Sequence, residues 1–129
     1  MINDRISDSF SRVRNALLVG KKHVSVLNSA IVKSVFKVIQ EEGFIEDIKE
    51  NSDRELLIKL KYDKKGIPVI RGISRISKSS KRVYYKCKDF DGMRRKDFSM
   101  FIVTTSVGVM SDREALRSGV GGELIGKVF

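Results

Sequence analysis

The chain has 129 residues and a formal net charge of +10 at pH 7, and 41% of its residues are hydrophobic. That apolar content is enough for a folded core, so the composition excludes a disordered basic tail. The sequence contains no apolar run of about 18 residues, which excludes a membrane-spanning helix, and we expect no secretory signal after Met1.

The positive charge is concentrated in two segments. Residues 1–34 contain six Lys and Arg against two acids, and residues 67–98 contain ten against three. The intervening residues 35–66 and the last residues 99–129 are close to balance. Basic segments attract phosphate and release its counterions, so we expect an anionic partner, with basicity by chance as the alternative.

Cysteine and histidine usage indicates neither a metal site nor a cofactor. Cys87 and His23 are each the only residue of their type. A single cysteine allows no disulfide framework and no thiolate cluster, so we expect a reducing compartment.

The first half of the chain predicts an α-β-α-β-β unit. Ile6, Phe10 and Val13 recur at helical spacing, with Asn3 as a candidate cap and Gly20 just past the end. The turn at residues 51–54 separates two alternating segments, as in a β-hairpin. The predicted elements are a helix over 4–19, a strand over 23–26, a helix over 29–42, and strands over 44–49 and 56–62.

The second half predicts mostly strands. They cover residues 69–76, 83–86 and 101–103, while residues 89–97 are either a loop or a short helix. Ser111 to Glu114 forms a capping box, which predicts a further short helix. We therefore expect an α+β protein with two small lobes, at residues 1–66 and 67–129.

Two catalytic interpretations fail on the residues. Gly121 to Lys127 has the spacing of a phosphate-binding P-loop, but Val128 stands where a hydroxyl is required and no helix can follow before Phe129. A hydroxyl nucleophile would need a nearby base, and His23 lies far away in the sequence. We therefore expect no enzyme.

The end of the chain predicts a binding surface instead. Hydroxyl side chains followed by a glycine turn can donate to phosphates, 2′-hydroxyls and base edges. Glu123 either accepts a hydrogen bond from the partner or orients the hydroxyl cluster, and the sequence leaves both open. Of two adjacent tyrosines one is expected in the core and one is available for base stacking, and Tyr84 is included as a candidate. The candidates here are Thr104, Thr105, Ser106, Gly108, Gly121, Gly122, Glu123, Arg82 and Tyr84.

Four segments together resemble bacterial-type small-subunit ribosomal protein number eight, along essentially the whole chain. They are ISDSFSRVRN from Ile6, EEGFIED from Glu41, TTSVGVMSDREA from Thr104 and GVGGE from Gly119. The last two, in this order, are the most specific.

This resemblance implies a two-lobed α+β protein that binds a helical element in the central domain of small-subunit ribosomal RNA. It also implies a role in early assembly, neighbouring small-subunit proteins as partners, no cofactor, and a place in the cytoplasmic ribosome of a bacterium or in an organelle ribosome. Arg14, Asn15, Ser29 and Lys33 join the candidate RNA contacts on this basis. Where the family usually has lysine after the hydroxyl triplet, this chain has Val107.

Two other classes remain as alternatives. Basic charge alone would also permit a DNA-binding protein, although strand-like sequence separates the first two helices and leaves no obvious helix-turn-helix pair. A protein-interaction module is the second alternative, and it would bind independently of salt and of RNA.

Overall fold

The computed structural model describes residues 2–78, 80–96 and 98–129, with the backbone only for helical residues 2–4 and 93–96. Ser79, between two predicted strands, and Asp97, in the segment predicted as loop or helix, lie outside the described residues. The first half contains α1 (Ile2–Leu18), β1 (His23–Leu27), α2 (Ala30–Glu41), β2 (Ile45–Glu50) and β3 (Glu55–Leu60). The predicted α-β-α-β-β order is confirmed.

The two long helices follow the apolar periodicity of the sequence. On α1, Ile6 and Phe10 are buried, and Gly20 adopts the positive φ expected just past the end of a helix. Because α1 begins at Ile2, the predicted cap Asn3 lies within the helix rather than at its start. The α2 helix begins one residue after Ser29, whose side chain accepts a hydrogen bond from the Val32 amide and so caps the helix.

The first sheet has the order β1-β3-β2, and both strand pairs are antiparallel. Residues 51–54 connect β2 to β3, as predicted for the hairpin. The buried residues of β3, Leu56, Ile58 and Leu60, alternate with more exposed ones. This alternation turns one face of the sheet toward the helices.

The second half forms a five-stranded sheet with two helices. Strands β4, β8, β6 and β7 follow one another in that order, and β5 also pairs with β8. The elements are β4 (Ile73–Arg75), β5 (Tyr84–Tyr85), α3 (Cys87–Lys96), β6 (Met100–Thr105), β7 (Gly108–Ser111), α4 (Asp112–Ser118) and β8 (Gly122–Val128).

The strand predictions for this half were only partly right. The predicted strands 69–76 and 83–86 are reduced to three and two residues. Of the two alternatives left open for residues 89–97, the helix is present, as part of α3. The glycine-rich segment 119–123 has the composition of a turn, yet its last two residues, Gly122 and Glu123, begin β8, which pairs with three other strands. Local sequence predicted a turn because glycine disfavours strands, whereas close strand packing requires it here.

Apolar residues from both halves share one core. Phe10 of α1 meets Phe36 of α2 edge to face at 6.4 Å, and Ile102 and Ile125 of the second sheet belong to the same buried cluster. Arg14 of α1 also donates a 2.7 Å hydrogen bond to the carbonyl of Ile73. The division at residues 66 and 67 stays a prediction.

A second apolar cluster lies on the opposite face of the second sheet. It contains Phe90 of α3, Ala115 of α4, and Phe101 and Val103 of β6. The second sheet is therefore covered on both faces along part of its length, while Thr104 and Thr105 at the end of β6 are half-buried.

Candidate nucleic-acid interface

The hydroxyl triplet ends β6 at a tight hairpin. Thr105 pairs with Gly108 across a two-residue turn formed by Ser106 and Val107. The Thr105 hydroxyl donates to the Gly108 carbonyl at 2.8 Å and accepts from the Val107 amide at 3.1 Å. This hydroxyl therefore holds the turn in shape.

Gly108 is required by the backbone of this hairpin. Its φ is +132°, in a region that residues with a Cβ rarely adopt, and no non-glycine residue described here has a positive φ. Types I′ and II′, the usual turns of two-residue hairpins, require a positive φ at the first turn residue. Ser106 does not have one, so the turn is of neither type. Gly108, at the position after the turn, completes the reversal of the chain. The reversal leaves Ser106 and Val107 exposed at the tip.

Strand register places three candidate residues in one row. Thr104 lies opposite Glu123, and Glu123 lies opposite Tyr84 on the next strand. Residues directly opposite in antiparallel strands point to the same face, so these three side chains share one face. Thr105 lies opposite Gly122 in the next row, and its side chain points to the other face.

Tertiary packing resolves which tyrosine is available. Tyr84 is 66% exposed, whereas the ring of Tyr85 stacks on Phe90 at 6.2 Å and packs against the second apolar cluster. Tyr84 is therefore the tyrosine that a base could stack on.

Glu123 is held by an arginine. Nη1 of Arg82 lies 3.3 Å from Oε2 of Glu123, whose side chain is only 14% exposed. Arg75 lies nearby and donates a 2.5 Å hydrogen bond to the Ile125 carbonyl. Burial lowers the pKa of Arg75, the charge of Glu123 opposes that shift, and the charge of Arg82 adds to it. The Glu123 carboxylate thus interacts with the guanidinium groups of both Arg82 and Arg75.

Arg75 was not among the predicted site residues. It follows Ser74 and precedes Ile76 in a predicted strand, and an arginine in such a position is also typical of a solvated sheet edge. Only its position on β4, beside β8, brings it to Glu123.

The glycines before Glu123 allow two backbones to approach closely. A Cβ on Gly121 would lie 2.5 Å from the Tyr85 carbonyl oxygen. A Cβ on Gly122 would overlap the Thr104 carbonyl oxygen and lie 2.9 Å from the carbonyl carbon. Packing of β5 and β6 against β8 therefore accounts for both glycines, and their contact with RNA stays a prediction.

The short helix after the hairpin is capped as predicted. The Ser111 side chain accepts from the Glu114 amide at 3.2 Å, and Gly119 ends the helix with a φ of +71°. Glu114, expected to complete the capping box, pairs with Arg117 at 3.3 Å. The capped helix holds the second apolar cluster against the sheet that carries the hairpin.

The candidates from the first half are mostly engaged within the protein. Arg14 donates to the Ile73 carbonyl, and Ser29 caps α2. Lys33 pairs with Glu50, and its hydrogen bond and charge lower the pKa of that carboxyl. Asn15 is exposed on α1. The structure gives these residues structural partners, and RNA contact by them stays a prediction.

The described residues contain no group of three or more His, Cys, Asp or Glu placed to hold a metal ion. Within the same part of the chain, no helix is long and apolar enough to cross a membrane. The segment from Gly121 to Lys127, which has P-loop spacing, is largely β8 and so lacks the strand-turn-helix geometry of a phosphate-binding loop.

Comparisons with known proteins show the family of the chain. The profile of the family described as Ribosomal protein S8 matches residues 4–129. Small ribosomal subunit protein uS8 of a Nitratiruptor species is 42% identical over 135 residues and covers 100% of both chains. The uS8 protein of Campylobacter lari is 39% identical over 128 residues, and uS8c of Gracilaria tenuistipitata var. liui is 43% identical over 129, each covering 97% of both chains. The chain belongs to the ribosomal protein S8 family and is a structural, non-enzymatic protein of the small ribosomal subunit with a role in translation.

Proposed function

We propose that this protein binds the central domain of small-subunit ribosomal RNA directly and helps that domain to assemble. The observation that carries the proposal is the row of Thr104, Glu123 and Tyr84 on one face of the sheet, beside the exposed hairpin tip. Neighbouring small-subunit proteins are further partners, in a bacterial cytoplasmic ribosome or a related organelle ribosome.

Each group in the row suits a different part of an RNA strand. The Thr104 hydroxyl and the exposed Ser106 can donate to phosphate or accept from a 2′-hydroxyl. The Tyr84 ring offers a stacking surface for an unpaired base. Glu123 keeps lone pairs beyond its contact with Arg82, so it can accept from a ribose hydroxyl or a base amino group.

The short side chains at the tip favour close approach. Val107 is 71% exposed and carries no charge, so the tip contributes hydroxyl and amide groups rather than a phosphate-binding lysine. Gly108, Gly121 and Gly122 keep the backbone around these groups free of side chains. Recognition at this site therefore depends on hydrogen bonds more than on charge.

Charge for the complex comes from other residues. Arg82 lies at the edge of the row and is 43% exposed, so it can contact phosphate while it holds Glu123. Arg14, Asn15, Ser29 and Lys33 approach the RNA backbone from the first half. Arg14 and Lys33 provide salt-sensitive attraction, Asn15 and Ser29 add hydrogen bonds to the backbone, and neither kind of contact reads the sequence.

The test is RNA affinity of the intact protein at several salt concentrations. Ser106→Ala removes a hydroxyl that has no hydrogen-bond partner among the described residues, so it should weaken binding by roughly 1 kcal/mol or more. Its salt dependence should stay nearly unchanged, because no charge is removed. Ser118→Ala is the matched control, since Ser118 is also exposed but lies at the end of α4.

Thr105→Ala serves as a structural comparison. Its hydroxyl holds the turn, so this change should lower stability as well as affinity, whereas Thr105→Ser should retain both. If Ser106→Ala binds as the unmodified protein does, or if duplex DNA competes as well as ribosomal RNA, direct RNA recognition by this hairpin is wrong. Co-sedimentation with assembling small subunits then tests the assembly role separately.

A further inference from the structure

A groove of about 480 Å³ opens at the other end of β8, away from the hairpin. Its walls come from the last turns of α1, the segment before β4, and Phe129. Glu123 and Val128 are five residues apart on β8, so the groove lies about 17 Å from the row described above. The two surfaces can therefore be altered independently.

The groove exposes apolar side chains that a folded protein normally buries. Leu18 is 80% exposed, Phe129 47% and Ile67 39%, and all three line the groove. Its floor includes Ile70 and Ile73, which are each 3% exposed and belong to the main core. A group of exposed apolar side chains around buried core residues is typical of a protein-binding surface.

The Phe129 wall is held in place. Its ring lies against Gly72, where a Cβ would come within 2.7 and 2.8 Å of the ring atoms Cε2 and Cε1. The ammonium group of Lys127 lies 5.6 Å from the ring centroid. The Phe129 carbonyl accepts from the amides of Arg71 and Gly72 at 2.6 and 2.9 Å. Because the Phe129 side chain is ordered before binding, it loses little conformational entropy when a partner contacts it.

The charged side chains that line the groove are all basic. Arg14 and Arg71 line it, and none of its described lining residues is acidic. Arg14 donates from one nitrogen to the Ile73 carbonyl, and Arg71 is exposed. Apolar walls beside two guanidinium groups complement a segment that combines apolar side chains with a carboxylate.

We propose that this groove binds a segment of a neighbouring small-subunit protein, one that inserts apolar side chains and places an acidic residue against Arg71. The proposal rests on the proposed function for the presence of such neighbours. A protein segment fits better than RNA, because phosphates gain nothing from the apolar walls of Leu18, Ile67 and Phe129.

The test is site-specific photo-cross-linking within assembled small subunits. Leu18 is replaced by the photoreactive amino acid p-benzoylphenylalanine, and cross-linked peptides are identified by mass spectrometry. The same replacement at Leu27 is the control, since Leu27 is also an exposed apolar residue, 41% exposed, but lies at the end of β1 outside the groove. Position 18, and not position 27, should cross-link to a small-subunit protein segment containing apolar residues and an aspartate or glutamate.

Variants of groove residues separate the effects of groove charge and shape on partner binding from a general loss of folding. Arg71→Glu places like charges together and should lower the cross-link yield about tenfold, whereas Arg71→Lys should retain most of it. Gly72→Ala displaces the Phe129 ring and should also lower the yield. RNA affinity of isolated Arg71→Lys and Gly72→Ala should stay within about twofold, because neither variant changes the net charge and the groove is distant from the hairpin.

Cross-links from position 18 to ribosomal RNA, to a segment without an acidic residue, or to the same peptides as position 27 would overturn the proposal. So would the absence of cross-links in subunits that contain the protein, or a yield insensitive to Arg71→Glu. Normal RNA affinity alongside any of these outcomes leaves the proposed RNA-binding function intact.

Discussion

Gly122→Ala tests why a glycine-rich segment precedes Glu123. The added Cβ would overlap the Thr104 carbonyl oxygen, and it would lie 2.9 Å from the carbonyl carbon and 3.2 Å from the Thr105 Cα. All three atoms belong to the backbone of β6, so no side-chain rotation relieves the overlap. The strands must instead separate by roughly half an ångström or more, in a region packed at crystal-like density.

The expected cost follows from this overlap. Overpacking costs about 1–3 kcal/mol, and each weakened ladder hydrogen bond adds about 0.5–1.5 kcal/mol. Reduced backbone freedom in the unfolded chain offsets this by about 0.4–1 kcal/mol. We therefore expect a net loss near 2–3 kcal/mol, which is a large part of the about 5–15 kcal/mol typical of a folded domain.

The measurement is urea unfolding followed by circular dichroism. With a denaturant slope of about 1–3 kcal/mol per molar, the midpoint should fall by about 1 M. Gly92→Ala is the matched control, because a Cβ there meets nothing within 4 Å and the residue lies in α3. That change should raise stability by about 0.5–1 kcal/mol through helix propensity.

A result that separates stability from binding would refute this reasoning. If Gly122→Ala unfolds at the same midpoint as the unmodified protein but loses RNA affinity, the glycine serves ligand approach rather than strand packing. A reduced midpoint with an unchanged denaturant slope supports strand packing instead.

Three further predictions concern caps, charge and backbone. Ser29→Ala and Ser111→Ala should each lower stability by about 1 kcal/mol, through loss of a helix cap, in urea unfolding. Lys33→Met should raise the Glu50 pKa in an NMR titration of its carboxyl, because Lys33 is the main cause of its lowering. The stabilisation from that pair is present above the unfolded-state pKa and is lost as pH falls through the lowered folded-state pKa, so Lys33→Met should flatten the decline in stability at acid pH. Gly108→Ala should lower stability by about 1–3 kcal/mol, because alanine is strained at a φ of +132°.

Each of these has a contrary outcome. Unchanged unfolding of Ser29→Ala would mean that its hydroxyl does not cap α2, and any loss of RNA affinity would then reflect direct contact. An unchanged Glu50 titration in Lys33→Met would contradict the ion pair. Full stability of Gly108→Ala would mean that the hairpin adopts another turn.

The sequence was sufficient to predict most of the helices and strands in the first half of the chain. Apolar residues at helical spacing predicted α1 and α2, because each helix buries one stripe, and alternation predicted β2 and β3. Gly20 and the cap at Ser111 were also predicted, since both depend on neighbouring residues alone. The family resemblance rested on short segments, and the comparisons confirmed the family.

The sequence was less informative where strands are short and depend on distant partners. Residues 69–76 have the composition of a strand, yet only Ile73–Arg75 pairs with β8. Pairing in a sheet depends on residues far apart in the chain, so local composition overestimated this strand. For the same reason the local sequence did not predict β8. Its glycines are unfavourable in an isolated strand, but the close packing of neighbouring strands requires them.

The sequence by itself determined the α+β class, the basic character and the hydroxyl-glycine segment, because these depend on composition and local pattern. Only the tertiary structure decided which of those residues share a face. Register places Thr104, Glu123 and Tyr84 in one row and turns Thr105 to the other side. It also pairs Arg82 with Glu123 across 41 residues of sequence. Such neighbours arise from strand pairing and core packing, which only the complete fold defines.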